Sequence, residues 1–401
     1  MDALVIAMYI RIGAWAGCVA YLGWVGNAKA CVLEISKKQT PAPFFVYDYS
    51  SSRTITNSRI RRVYKHLQNP NNMKKFFSLL IAFVAFSVTC AKAQTSLIAT
   101  LNHEGTMSTF YGSTALQQAH KAAVDGDVVT LSSGTFASEN ITKAITLRGA
   151  GMALDAETQT EPTVLANAFN IEIPDETTQR LTIEGIYTNQ NINIKKLRNA
   201  MFLKDRLGSI TISSSGHATN LTFIHCRNTG TYHGRDDASN SASFINCIVS
   251  SSVEGYYYSF KNCIIYRNGQ GDDLYFPKYS ECKNSIIKRP RSTDDTMSFY
   301  NNLYTNNYGT LTNANNTNIG VTEDDKRFSG FFQDTDDNEY KLTEEVKAIM
   351  KGTDGTEVGI YGGSLPYDPT PTNPQIIKFN VASKTTADGK LSVDIEVKSA
   401  E

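Results

Sequence analysis

Five short segments with one internal order form the clearest pattern in this chain: FIHCRN at 223–228, FINCIV at 244–249, FKNCII at 260–265, CKNSII at 282–287 and FYNNLY at 299–304. The segments begin 16 to 22 residues apart, and four of the five start with Phe. Asn stands third in four of them, and Cys, Ser or Asn stands fourth. Residues of one type that return at a similar interval indicate a repeating structural unit.

A solenoid of stacked coils explains both the common order and the irregular spacing. Each segment supplies a strand, a tight corner and a second strand, and coils stack about 4.8 Å apart, as strands do within a sheet. Loops between the corners can differ in length without disturbing the stack. Weaker versions of the pattern precede these segments at 181–186, 192–197 and 209–212. The sequence therefore predicts an all-β chain built as a parallel β-helix.

The third and fourth positions of the segments predict a structural ladder of stacked side chains. Asn suits a corner with a left-handed backbone, and stacked amides can form hydrogen bonds from coil to coil. Cys at the fourth position recurs in one register, which favours a buried stack of thiols over disulfides, and a zinc site would need closer ligand spacing. The predicted ladder consists of Cys226, Cys247, Cys263, Asn246, Asn262, Asn284 and Asn301.

Both ends of the repeat region carry further patterns. Residues 113–124 have helical spacing and precede two apolar segments at 128–131 and 141–147, and GTDGTEVGIYGG stands at 352–363. With the repeats, these patterns resemble the secreted right-handed parallel β-helix proteins of the pectate-lyase-like superfamily, in the form found in Bacteroidota. The resemblance implies a β-helix over residues 94–365 with a helix that covers its N-terminal end. It indicates no specific enzyme family, because 345–350 departs from the usual closing pattern.

The first 93 residues predict a secretory signal peptide behind an upstream segment. The signal peptide spans 73–93, with a basic start at 73–75, an apolar run and a cleavage site after Ala93. Residues 1–72 are then a spurious extension or a disordered segment. Two alternatives stay open, a membrane-spanning helix over 3–26 and lipid attachment at Cys90.

Composition and charge narrow the expected partners and the location. The whole chain has 39 basic and 39 acidic residues, but 94–401 contains 27 basic and 36 acidic ones, a net charge of −9. An acidic chain argues against a nucleic-acid partner, which needs a basic surface. A polysaccharide is the expected partner. The signal peptide predicts export across the inner membrane, to the periplasm or the outer cell surface, with no transmembrane span in the mature chain.

The C-terminal region predicts a linker and a small sheet. Four prolines within residues 366–374 predict a stiff linker. Apolar residues alternate at 377–381 and again at 391–397, which predicts a β-hairpin within 375–401. That hairpin is a candidate surface for a protein partner.

Acidic pairs in the loops between the repeats are candidate calcium ligands and catalytic groups. In the pectate-lyase-like enzymes, carboxylates on one flank bind calcium, and a nearby Arg or Lys acts on the proton α to the uronate. Adjacent acidic residues in turns are more often solvated, so no catalytic motif and no definite cofactor is assigned. The candidates are Arg235, Asp236, Asp237, Asp272 and Asp273 for catalysis and Asp272, Asp273, Asp294 and Asp295 for calcium, with Arg267, Lys288, Arg289 and Arg291 in the same loops.

Tyrosines in the later repeats are candidate sugar-binding residues, since an exposed ring can stack on a sugar while an inward ring fills the coil. Three functions remain open, because this fold serves many functions. Glycan binding without catalysis is favoured, since no catalytic group can be assigned. The alternatives are a polysaccharide lyase or glycoside hydrolase acting on an acidic glycan, and a structural or adhesive surface protein. The tyrosine candidates are Tyr256, Tyr257, Tyr275 and Tyr304.

Overall fold

The chain divides into two compact units, Met1–Gln94 and Thr95–Glu401. The computed structural model describes five short strands before residue 55 and, after it, residues 97–156, 158–235, 240–267, 274–291, 296–305, 311, 315–318, 328–333, 340–381, 384–385 and 389–398. The predicted signal peptide, with Ala93 and Cys90, lies outside the described residues.

The first unit contains strands near its start. β1 pairs with β2 and β3, and β4 pairs with β5. Because β1 and β2 are strands, the alternative of a helix over residues 3–26 is wrong. No helix among the described residues is long and apolar enough to cross a membrane. The strands are β1 (Ile6–Arg11), β2 (Gly17–Ala20), β3 (Cys31–Leu33), β4 (Tyr47–Asp48) and β5 (Arg53–Thr54).

The second unit is a parallel β-helix of about eight turns, which confirms the predicted fold class. Two long sheets follow the stack of coils, with 14 and 10 strands. The first sheet consists of β6 (Ile98–His103), β7 (Thr106–Tyr111), β8 (Val128–Leu131), β10 (Thr146–Arg148), β12 (Phe169–Glu172), β13 (Thr182–Glu184), β15 (Ile192–Leu203), β17 (Ile210–Ile224), β19 (Tyr232–His233), β20 (Asn240–Ile245), β22 (Val253–Glu254), β23 (Tyr258–Lys261), β26 (Glu281–Lys283) and β29 (Ser298–Tyr300). The second sheet consists of β9 (Gly134–Phe136), β11 (Thr163–Leu165), β14 (Ile186–Tyr187), β16 (Arg206–Leu207), β18 (Arg227–Asn228), β21 (Ile248–Val249), β24 (Ile264–Ile265), β27 (Ile286–Lys288), β30 (Leu303–Thr305) and β31 (Thr317–Asn318). Two short strands, β25 (Leu274–Tyr275) and β28 (Pro290–Arg291), pair outside both sheets.

A column of aromatic rings fills the coil beneath the first sheet. Phe223, Phe244 and Phe260 pair in register, and their rings stack with centroids 4.7 and 5.0 Å apart. Phe202 extends the column by one coil, and Cys282 occupies the same position in the next coil. Burial of one such ring stabilises the fold by about 1.5–3 kcal/mol. The repeated Phe therefore helps to hold successive coils in one register.

The corner after the first sheet has the left-handed backbone that the sequence predicts. Asn246, Asn262, Asn284 and Asn301 have φ angles between 49° and 55°. A Cβ is strained in this region, and Asn tolerates it better than most residues. The residue after each corner points into the coil, where Cys226, Cys247 and Cys263 are buried free thiols.

A hairpin and a helix precede the first coil. Strands β6 and β7 pair antiparallel, and β6 also pairs antiparallel with β8, an arrangement that the sequence pattern did not indicate. Helix α1 (Ala115–Ala122) lies where its spacing predicts and buries Leu116. The ammonium group of Lys143 donates to the carbonyls of His120 (2.7 Å) and Ala123 (2.6 Å) at the end of this helix.

After the coils, helix α2 (Glu344–Ile349) leads into a segment of turns and bends, residues 351–373, which we call the strap. The strap runs back along the corners of the coils. Asn301 Nδ2 donates to Lys351 O (3.0 Å), and Asn246 Nδ2 donates to Ile360 O (2.6 Å). The outward residues of the second sheet, among them Ile264, are buried with the apolar residues of the strap.

The proline-containing end of the strap is also bound to the coils, which corrects the prediction of a linker over 366–374. Lys204 Nζ pairs with Asp368 Oδ2 (2.9 Å), and Thr372 N donates to the buried Glu184 Oε1 (3.0 Å). Prolines favour an extended backbone, and such a backbone can lie along a surface as well as span a gap.

The C-terminal hairpin is present as the sequence predicts. Strands β32 (Gln375–Val381) and β33 (Val393–Lys398) pair antiparallel. The apolar side chains of Val393, Ile395 and Val397 are exposed.

Candidate functional site

A shallow groove on the outer face of the first sheet is the candidate site. It has a volume of about 530 Å³ and lies across β17, β20, β23, β26 and β29. These parallel strands stand in register, so each position of the coil forms a row along the groove. The lining residues are Asn220, Leu221, Ser241, Ala242, Ser243, Tyr257, Tyr258, Ser259, Tyr279, Ser280, Glu281, Thr296 and Ser298.

Two exposed tyrosines form one wall of the groove. Tyr257 and Tyr279 are 43% and 55% exposed, and their rings stack with centroids 5.4 Å apart and planes 16° apart. Tyr256 contacts both rings edge-on, at 6.2 and 5.7 Å. Because the two stacked tyrosines come from neighbouring coils, the wall presents a continuous aromatic surface to solvent.

The backbone at these tyrosines is strained. Tyr257 and Tyr279 have φ angles of 63° and 52°, which a bulky residue adopts at a cost of about 1–3 kcal/mol. In earlier coils the equivalent corner is Asn199 or Asn220, with φ angles of 51° and 55°. Asn suits this backbone better than tyrosine does. A tyrosine at this corner therefore lowers the stability of the fold, and it places an aromatic ring beside the groove.

A row of hydroxyl groups and one carboxylate forms the floor of the groove. Ser259 Oγ donates to Glu281 Oε1 (2.7 Å), which fixes the orientation of this carboxylate. Among the described lining residues, Glu281 is the one acidic group. Hydroxyl and carboxylate oxygens can exchange hydrogen bonds with a polyhydroxylated ligand. The row consists of Ser243, Ser259, Glu281 and Ser298, and Thr222 stands in register with Ser243 in the preceding coil.

The next outward row carries positive charge. Lys261 and Lys283 follow the floor residues by two positions, so they lie on the same face of the sheet. Lys283 Nζ lies 5.3 Å from the centre of the Tyr300 ring, a cation–π contact that holds this lysine at the rim. The groove therefore offers an aromatic wall, a hydroxyl floor and a cationic rim.

The structure separates the tyrosines that the sequence grouped together. Tyr257 lines the groove, and the ring of Tyr256 contacts the ring of Tyr257. Tyr304 is fully buried, and its hydroxyl accepts a hydrogen bond from Leu311 N (3.1 Å), so its prediction as a ligand-binding residue is wrong. Tyr275 lies in β25, and its side chain is outside the described part of the chain. Tyr279, which was not among the four tyrosine candidates from the sequence, is a principal wall residue.

Only some of the charged loop residues that are candidates for catalysis lie among the described residues. Arg235 donates from its guanidinium to the carbonyls of Ser214 and Gly216 (3.1 Å for the second), and so holds a turn in place. Lys288 and Arg289 are buried. The described residues contain no group of three or more His, Cys, Asp or Glu that could hold a metal ion. The remaining candidates, Asp236, Asp237, Asp272, Asp273, Asp294 and Asp295, lie outside the described residues.

The buried thiols of the structural ladder have no features of a reactive site. Burial raises the pKa of Cys263 to about 12 and raises that of Cys247 well above its usual value. Thiols in such surroundings stay protonated, whereas nucleophiles and metal ligands are thiolates. In an earlier coil Asp205 takes the place of cysteine, where burial raises its pKa and Ile186 N donates to its Oδ1 (2.8 Å). These inward groups support the structure, while the groove faces outward.

Comparison of the chain with protein-family models, with curated proteins and with solved structures found no match.

Proposed function

We propose that this protein binds a polysaccharide in the groove, as a secreted or cell-surface β-helix protein that acts without catalysis. The strained, exposed pair Tyr257 and Tyr279 carries the proposal. Nothing in the packing of the coil requires a ring at these corners, since Asn occupies them elsewhere. An apolar surface beside precisely placed polar groups is typical of ligand sites.

The proposed location follows from residues 73–93, whose pattern favours a signal peptide. The protein would then reach the periplasm or the outer cell surface, where polysaccharides are accessible. The resemblance of the repeats to the pectate-lyase-like superfamily supports the same class of ligand.

Paired substitutions test the tyrosine wall. Binding to a panel of neutral and acidic polysaccharides is measured by affinity electrophoresis and titration calorimetry. The double substitution Tyr257→Ala with Tyr279→Ala should weaken binding roughly tenfold or more, because both stacking faces are lost. Tyr257→Phe with Tyr279→Phe keeps the rings and serves as the matched control. Equal affinity of the alanine and phenylalanine variants would exclude the groove as the binding surface.

The alternative of a lyase or hydrolase for an acidic glycan is supported by the carboxylate of Glu281 in the groove and by Lys283, which stands two residues along the same strand at the rim. Glycosidases use two carboxylates, and the lyase mechanism needs a base near a cation. New reducing ends after incubation with any polymer of the panel, with or without calcium, would establish this alternative. Calcium dependence would assign a role to the loop aspartates.

A structural or adhesive role is the third candidate. It is supported by Val393, Ile395 and Val397, which form an exposed apolar row on the C-terminal hairpin. An exposed apolar row on a two-stranded sheet suits a protein partner. Removal of residues 375–401 would abolish such binding and leave polysaccharide binding unchanged.

A further inference from the structure

In the part of the chain that the structure describes, strand β7 forms the N-terminal edge of the first sheet. β7 pairs with β6 on one side and stands last in the order of the sheet. Its sequence, TMSTFY, contains neither charge nor proline, the residue types with which proteins usually protect a sheet edge. Met107 and Tyr111 on this strand are 60% and 64% exposed.

The free hydrogen-bonding groups of β7 lie on alternate residues. Gly112 N donates to Leu97 O (2.9 Å), which makes these two residues a hydrogen-bonded pair at the end of the β6–β7 ladder. Such pairs alternate along an antiparallel ladder, so the even-numbered residues of β7 form hydrogen bonds with β6. The N–H and C=O groups of Met107, Thr109 and Tyr111 therefore point away from the sheet. Among the described residues, no strand pairs with them.

We propose that a second copy of this chain pairs with this edge, β7 against β7 in antiparallel orientation, about a two-fold axis at Thr109. Thr109 then faces the second copy's Thr109, and Met107 faces Tyr111 on both sides of the axis. At all three positions, N–H and C=O groups that do not bind β6 face the same kind of groups on the second copy. Each pair of residues can therefore exchange two N–H···O hydrogen bonds. The odd-numbered residues share the outer face of the sheet, so the exposed side chains of Met107 and Tyr111 cover each other.

This register is specific to a second copy because the strand is complementary to itself. A shift by one residue places the free groups of one strand against groups that already bind β6. A shift by two residues separates Met107 from Tyr111 and leaves both exposed. The two-fold axis also makes the interface closed, as in most homodimers, so it produces a dimer and not a fibre.

Charge at position 109 tests the register. Thr109→Lys places two like charges opposite each other at the axis, so the dimer of the full chain, measured by sedimentation equilibrium, should weaken roughly tenfold or more. Thr109→Glu should weaken it in the same way, and an equimolar mixture of the two variants should restore the dimer. Thr100→Lys is the matched control, since Thr100 stands beside Thr109 on β6, one strand further from the axis, and its symmetry mate does not lie opposite it.

Hydrogen exchange identifies the surface that the dimer uses. The amide protons of Met107, Thr109 and Tyr111 should exchange more slowly as the concentration of the full chain rises, while those of Ser108 and Phe110 should not change. A chain that stays monomeric at its highest soluble concentration overturns the proposal. So does a dimer that survives Thr109→Lys, or a mixture of the Lys and Glu variants that stays monomeric.

Discussion

At several corners of the coils, one polar side chain has two roles. Asn246 adopts the left-handed backbone and also donates to Ile360 O and Gly362 O of the strap. His225 has the same backbone, and its Nε2 lies 3.0 Å from Leu365 O. Backbone strain alone would favour glycine here. The polar side chains are kept because the strap's carbonyl groups need donors where they leave water.

A buried histidine makes the stability of the fold sensitive to acid. Burial, and secondarily the charge of Lys143, lowers the pKa of His120 from 6.5 to about 4. Between these values the unfolded chain is protonated at this histidine while the folded chain is not. The free energy of unfolding should therefore fall as the pH drops from 6.5 to about 4, by about 3 kcal/mol, and this loss should stop below pH 4.

The substitution His120→Gln isolates this contribution. Glutamine can still accept the hydrogen bond that Thr142 N donates to His120 Nε2 (3.2 Å), but it does not titrate. Urea unfolding of both proteins across the pH range gives the difference curve, in which His225 and the carboxylates cancel. Identical pH dependence in the two proteins would show that His120 is not the group responsible.

How far the sequence predicts the structure can be judged at single residues. The ladder of Asn246, Asn262 and Asn284 could be predicted because the corner needs one backbone conformation, and few residue types suit it. Tyr304 could also have been placed correctly. It occupies the register of Ile265 and Ile287, which point inward. A cluster of tyrosines suggests a binding surface, but the orientation of a side chain in a coil depends on its position and not on its residue type.

Among the elements, the coils were predictable and the strap was not. Each coil repeats a local pattern, whereas the strap makes its hydrogen bonds far along the chain, as between Asn246 and Ile360. Its prolines and small residues contain no period that indicates a partner. The β6–β7 hairpin was missed for a related reason, since β7 is exposed on nearly every residue and so lacks the alternation of a half-buried strand.

Two glycines of the strap provide a test of how tightly it is held. Gly363 and Gly355 have φ angles of 79° and 82°, so alanine is strained at either position. A Cβ at Gly363 would overlap the amide nitrogen of Asn262, whereas a Cβ at Gly355 meets nothing within 4 Å. Gly355→Ala should lower the free energy of unfolding by about 1 kcal/mol, and Gly363→Ala by about 3 kcal/mol.

Urea unfolding measures both values, and limited proteolysis shows where the change occurs. Gly363→Ala should expose the strap to cleavage between 351 and 373, while Gly355→Ala should leave its protection unchanged. Equal effects of the two substitutions would mean that the strap does not depend on close contact with the corner at Asn262.

At the scale of the whole molecule, register converts single positions into surfaces. The same alignment that stacks Phe223, Phe244 and Phe260 inside the coil aligns Ser243, Ser259 and Glu281 outside it. The groove therefore runs in the direction in which the coils stack. Its tyrosine wall also spans neighbouring coils. A polysaccharide in this groove should lie along the stack, with successive sugars contacting successive coils.

This orientation predicts how affinity depends on ligand length. The groove extends from Asn220 to Ser298 over five coils, about 19 Å at the strand spacing of a sheet. The affinity of oligosaccharides from one polymer should rise with each added sugar until the chain spans this distance and then stay constant. Ser298→Trp obstructs the far end of the floor, so it should weaken the binding of long oligosaccharides several-fold and leave short ones, held at Tyr257 and Tyr279, unaffected. Calorimetry across the length series distinguishes a ligand that lies along the stack from one that crosses the sheet along a strand. A ligand that crosses the sheet would gain no affinity from added sugars, and Ser298→Trp would not change its binding.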